Sequence, residues 1–272
     1  GTLIIMTLTQ MAVDILTTSD PHLKVLKSKD YSDKWFASNM SNQRLEIGNT
    51  KPPSQPSRPK NPLLLPPRNM PKRKYGTEKG RIALLHAIAH IELNAVDLHW
   101  DIIARFADVE MPNGYYDDWV KAAQEESKHF SLLCERLEAM GSYYGDLPAH
   151  AGMWSSAEET SEDFLGRLAI VPMVLEARGL DVTPGMIKLF EKINDNETVK
   201  TLELIYAEEV GHVAFGSKWF HFLCGRHNKD PKIVFHELVS KYFKSSLKPP
   251  FNDEKRAEAG IPLDFYWPIA IS

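Results

Sequence analysis

Two copies of one short phrase, Glu125-Glu126-Ser127-Lys128-His129 and Glu208-Glu209-Val210-Gly211-His212, stand 83 residues apart, and each sets a Glu and a His three positions apart. On a helix that spacing stacks both side chains on one face. A lone Glu-x-x-His carries little information in a chain of this composition. Here the surroundings repeat too. Glu92 lies 34 residues before Glu126, and Glu176 lies 33 residues before Glu209, each within an apolar run. Five positions after each of these comes an aspartate, Asp97 and Asp181. The repeated unit is therefore Glu-x-x-x-x-Asp followed by Glu-Glu-x-x-His, an internal duplication of a helix pair. Two such pairs predict an all-α fold, an antiparallel four-helix bundle around a central dinuclear metal site.

The chemistry of that prediction rests on six side chains: Glu92, Glu126, His129, Glu176, Glu209 and His212. Two helices each giving one inward Glu, and two giving Glu-x-x-His, form the ligand pattern of di-iron and di-manganese carboxylate bundles. Four carboxylates carry about four negative charges, which two divalent ions would neutralise and which an apolar bundle centre could not hold alone. Oxygen ligands with one imidazole per ion suit two iron ions, with manganese as the alternative, and the lack of Cys ligands argues against a structural zinc site. Glu125 and Glu208 read as solvated neighbours of the ligands. Asp97 and Asp181 are candidates for orienting the imidazoles, or for buried ion pairs in which Arg178 is one partner. Tyr206, three residues before Glu209, faces the same interior and reads as a core tyrosine bonded to a carboxylate. His86, His90 and His99 read as satisfied or surface histidines, although His99 lies two turns beyond Glu92 on its face. No catalytic residue is assigned.

The segments around the duplication define the organisation. Residues 1–48 read as an N-terminal helical extension. Residues 49–76 hold eight prolines between Pro52 and Pro71, with Lys51, Arg58, Lys60, Arg68, Lys72, Arg73 and Lys74, and read as a basic linker wrapping the bundle. An RNA or other anionic partner at this strip is the sharper reading of the same charge; a solvated linker is the plain one. The bundle is expected over residues 77–225, with a C-terminal helix and tail over 226–272. Thr77 is placed to cap the first long helix, and Gly141 to stop the second. Local signals at Thr183-Pro184-Gly185 suggest a helix end, but the duplication moves the second hairpin turn to Asn194-Asp195-Asn196 and leaves a break or kink at Pro184.

Bulk properties exclude some classes. A net charge of −4 gives no global attraction to nucleic acid or to an anionic membrane, and no apolar run reaches spanning length. The apolar start, Leu3 to Met6, is too short for a signal-peptide core. Two cysteines, Cys134 and Cys224, cannot form a disulfide framework and are expected as reduced thiols of a cytoplasmic protein.

With these residues in view, the chain resembles the ferritin-like superfamily. Pro172-Met173-Val174-Leu175-Glu176-Ala177-Arg178-Gly179-Leu180-Asp181, together with the Glu-Glu-x-x-His repeats, is similar to a bacterial ferritin-like family without an assigned function. A more distant similarity is to the di-iron hydroxylase of a modified tRNA adenosine. The resemblance covers about residues 77–224. It implies a di-iron oxidoreductase that uses O2 to hydroxylate or oxidise an unidentified substrate, with a reductant partner. The alternatives are a ferroxidase or iron-handling protein, and a non-catalytic binding protein whose metals stabilise the bundle. The oligomeric state is left open.

Overall fold

A computed structural model describes residues 5–271; the first residues of the apolar start lie outside this range. Among the described residues the chain is helical, with one pair of two-residue strands and one isolated bridge. It divides into two compact units, residues 1–154 and 155–272. That division falls between the two copies of the duplicated helix pair, inside the segment expected as one bundle.

The first unit begins with α1 (Leu8–Leu16) and α2 (Pro21–Asn39). Thr7 and Gln10 form a reciprocal capping box at the start of α1, and Asp20 caps α2 ahead of Pro21. The proline-rich segment then runs without helix, except for one short 3-10 turn, to Thr77. It is held along its length: the Ser57 N–H donates to the Leu16 carbonyl at 2.7 Å, and Trp154 Nε1 donates to the Ser54 carbonyl at 2.9 Å. Strand β1 (Leu64–Leu65) within it pairs in parallel with β2 (Ala149–His150).

Helix α3 (Glu78–Arg105) starts where Thr77 accepts the Gly80 N–H at 3.0 Å, with Glu78 complementing the positive end of the helix. Its middle is buried nearly all round, because α4 (Asn113–Ala139) packs on one side and α1 on another. Helix α2 covers α4. Helix α4 stops in a Schellman motif: Gly141 takes φ +80°, its N–H meets the Glu138 carbonyl, and the Ser142 N–H meets that of Leu137.

The second unit opens with the short α5 (Ser155–Glu159) and with α6 (Phe164–Ile170), capped by Asp163. The chain then passes through a π-helical segment, Val171–Glu176, into α7 (Ala177–Glu191). The irregularity therefore lies at Pro172, upstream of the break expected at Pro184. Pro184 sits inside α7, where its missing N–H would leave the Leu180 carbonyl without its helical donor. Asn252 Nδ2 donates to that carbonyl instead, at 3.0 Å. Asn194, at φ 57°, ends α7, and Asp195 caps α8 (Asn196–Arg226). Helices α9 (Pro231–Tyr242), α10 (Asp253–Glu258) and α11 (Leu263–Tyr266) complete this unit. Helix α8 packs against α6, α7, α9 and α10. No described helix is long and apolar enough to cross a membrane.

Candidate metal centre

In the first unit, Glu92 from α3 and Glu126 and His129 from α4 converge. Their ligand atoms lie within 4.8 Å of one another. His129 Nδ1 is 3.4 Å from Glu92 Oε2 and 3.4 Å from Glu126 Oε2. Exposures of 5 % for Glu92, 1 % for Glu126 and 0 % for His129 put all three in the interior. Glu125, one position away on α4, is only half-buried. Two carboxylates this close and this buried repel each other and lose their hydration, and a cation between them reverses both costs. Carboxylate oxygens with one imidazole suit a divalent ion of the iron or manganese kind. This cluster could hold a metal ion.

The second unit repeats part of the arrangement on its own helices. His212 Nδ1 lies 3.4 Å from Glu209 Oε2 on α8, with the His212 side chain fully buried. Glu176 stands at the last position of the π-helical segment and is half-buried. Two contacts fix the register of this segment against α8. The Pro172 ring packs on Gly216 so closely that a β-carbon there would fall 2.4 Å from Pro172 Cβ and Cγ. One turn past Glu176, Gly179 lies beside the Glu209 side chain, whose Cγ would be 3.9 Å from an added β-carbon. Between these two contacts, Glu176 and His212 come level across the helix pair.

The aspartates of the repeat are ion-paired in both units. Asp97 accepts from Lys24 Nζ at 2.7 Å, with side-chain exposures of 2 % for Lys24 and 4 % for Asp97. Burial pushes the Asp97 carboxyl up to about 6, against the pull of Lys24. Asp181 receives Arg256 through two bonds, Nε at 3.0 Å and Nη2 at 2.7 Å, and also accepts the Asn252 N–H. Arg178, the partner expected from sequence, is exposed and reaches Asp181 only at 3.4 Å. Tyr206 differs from expectation as well: its hydroxyl accepts from Asn252 Nδ2 at 2.7 Å, and that contact ties it to the C-terminal segment.

The three other histidines singled out from the sequence, His86, His90 and His99, are buried. His86 Nε2 accepts the Gly145 N–H, and His90 joins Tyr144 and the His150 carbonyl; burial lowers each to about 4. His99 carries a signal that the sequence showed only in outline. Its Nε2 lies 3.6 Å from Glu126 Oε1, and its ring stacks on Trp119. Position on the Glu92 face was legible, but not that α4 would bring Glu126 level with it. Cys134 and Cys224 are free buried thiols, pushed up by burial to about 12 and about 11. Outside the ligand cluster, a groove of about 870 Å³ on the first unit is lined by Arg68, Lys72, Arg73, Tyr75, His90 and Ile91, among others.

Together these features define an all-helical protein whose buried carboxylates and imidazole could bind metal. The chain belongs to the family described as "Protein of unknown function (DUF455)", whose model matches residues 17–267. A protein of Haemophilus influenzae strain Rd, described as "Uncharacterized protein", is 43 % identical over 208 residues, covering 75 % of this chain and 72 % of that relative. No solved structure matches the chain.

Proposed function

We propose that the two half-sites serve one dinuclear centre of the ferritin-like type, in a four-helix arrangement, and that the protein uses O2 to oxidise a bound substrate. The observation that carries this reading is the repetition of one half-site in two separately packed units. Each has a Glu-x-x-His with the imidazole 3.4 Å from its own carboxylate, and each is preceded by a Glu from the antiparallel partner helix. Repetition of a metal-ligand pattern together with its geometry is hard to reconcile with ordinary surface acids.

Glu92, Glu126 and His129 would hold one ion, and Glu176, Glu209 and His212 the other. Iron is the preferred occupant and manganese the alternative. Two such ions would supply redox equivalents for reducing O2, and the electrons beyond those taken from substrate would come from a reductant partner. The protein's own part is to hold four carboxylates at fixed separation and to keep bulk water from the ions. Buried Glu126 and His129 serve both ends, since they are preorganised by α3–α4 packing.

Anaerobic loading with ferrous iron tests the reading. About two irons per chain are expected, with binding lost in Glu92→Ala and Glu176→Ala and with O2 consumed on exposure to air. Failure to bind iron, or unchanged binding in both variants, overturns it. Mineral accumulation would favour the ferroxidase. Iron held without O2 consumption would favour a metal-stabilised binding protein, for which the basic groove at Arg68, Lys72 and Arg73 is the available surface.

A further inference from the structure

The geometry points to His99 as an additional nitrogen ligand of this centre, so that two ions share three imidazoles. This rests on the dinuclear reading and goes beyond the six ligands that the repeat supplies. Glu126 lies between two imidazoles, each beside a different oxygen: His129 Nδ1 is 3.4 Å from Oε2, and His99 Nε2 is 3.6 Å from Oε1. Both distances exceed the roughly 2.7–2.9 Å of a charge-assisted hydrogen bond. They match two donors bound to a common ion, since bonds of about 2.1 Å at angles of about 90–120° separate the donors by about 3.0–3.6 Å. A carboxylate with one imidazole beside each oxygen is arranged to bridge two ions, each ion taking one oxygen and one nitrogen.

The side chain is placed for that role. His99 is 1 % exposed, and stacking on Trp119, with centroids 5.4 Å apart, holds its ring plane. The duplication shows that this is not a general feature of the scaffold. The residue 84 positions after His99, the offset that relates Glu92 to Glu176, is Thr183, whose hydroxyl donates to the Gly179 carbonyl at 2.6 Å. The two halves therefore offer different donor sets. A neutral imidazole leaves the charge balance of four carboxylates and two divalent ions unchanged, and it shifts preference away from manganese, which favours oxygen ligands, toward iron.

Cobalt(II) in place of iron gives a readout separate from activity. In proton NMR of the dicobalt protein, each coordinated imidazole contributes one solvent-exchangeable, strongly shifted N–H resonance. Three such resonances are expected in the wild-type chain, and His99→Gln is expected to lose one while keeping two cobalt ions. Only two resonances in wild-type protein carrying two ions overturns the assignment of His99 and leaves the dinuclear reading intact. A chain that takes up no pair of ions overturns both. The wild-type count stands alone should His99→Gln fail to fold.

Discussion

Glu125 and Glu126 differ by one position and by about 100° around α4, and that rotation decides their fates. One is half in water, the other 1 % exposed beside two imidazoles. The same reasoning applies to histidines outside the candidate ligand cluster. His86 and His90 lie one turn apart on α3, both buried, and both lowered from 6.5 to about 4 because burial penalises the charged ring. The sign follows from linkage. A ring whose folded value lies below its unfolded value binds protons less readily when folded, so its contribution is complete above about pH 6.5 and is lost as pH falls toward 4. Asp97, raised to about 6, works in the opposite direction over part of that range, so a difference between variants is the clean measure. His86→Gln keeps an acceptor for the Gly145 N–H and removes the titration. Urea unfolding from pH 7 to 4 should show the variant losing less stability than wild type, by on the order of 2 kcal/mol at the acid end. Parallel curves would show that His86 charges freely in the folded state.

The helix pair of the second unit shows how an element can contradict its own local signals. Pro184 has the sequence signature of a stop, yet α7 continues through it, because Asn252, far along the chain, supplies the hydrogen bond that the proline cannot. Nothing near Pro184 announces Asn252. The hairpin turn was legible because the duplication transfers a length, and the helix-end residues Asn194 and Asp195 have the chemistry a turn requires. The π-helical segment was not legible: it depends on Pro172 packing against a glycine more than forty residues away. Gly216→Ala tests that contact. A methyl group there must displace the Pro172 ring, a loss of roughly 1–3 kcal/mol that outweighs the helix-propensity gain of about 1 kcal/mol. Gly185→Ala, exposed inside α7 with open space around it, is the matched control and should gain about 0.5–1 kcal/mol. Thermal unfolding of the two variants should therefore move in opposite directions. A neutral or stabilising Gly216→Ala would show that the proline contact does not set the register.

Across the whole chain, the extensions repeat a single device. Each unit holds its copy of the aspartate with a buried cation from outside the repeated helix pair: Lys24 from the N-terminal extension for Asp97, and Arg256 from the C-terminal one for Asp181. The residues of the repeat were readable because helical periodicity and ligand chemistry are local. Their cations were not, since they lie 73 and 75 positions from their aspartates and no spacing rule connects them. Arg178, the nearer arginine, was the natural candidate, but it points outward to the Lys248 carbonyl. The consequence is measurable in each unit. Lys24→Met keeps most of the aliphatic stem and removes the charge, leaving Asp97 in an interior that cannot hydrate it, so a loss of roughly 3–5 kcal/mol is expected. Arg256→Met should cost a similar amount through Asp181, and because each ion pair lies within its own compact unit, the losses in the double variant should add to within about 0.5 kcal/mol. The second half of the test restores charge balance: Lys24→Met with Asp97→Asn should recover much of the lost stability, because a pair of neutral groups avoids the stranded carboxylate. Chemical denaturation of the four variants beside wild type checks both statements. Recovery identifies the buried charge as the origin of the loss, whereas a Lys24→Met defect unchanged by Asp97→Asn would assign it to the packing of the lysine stem beneath the proline-rich segment.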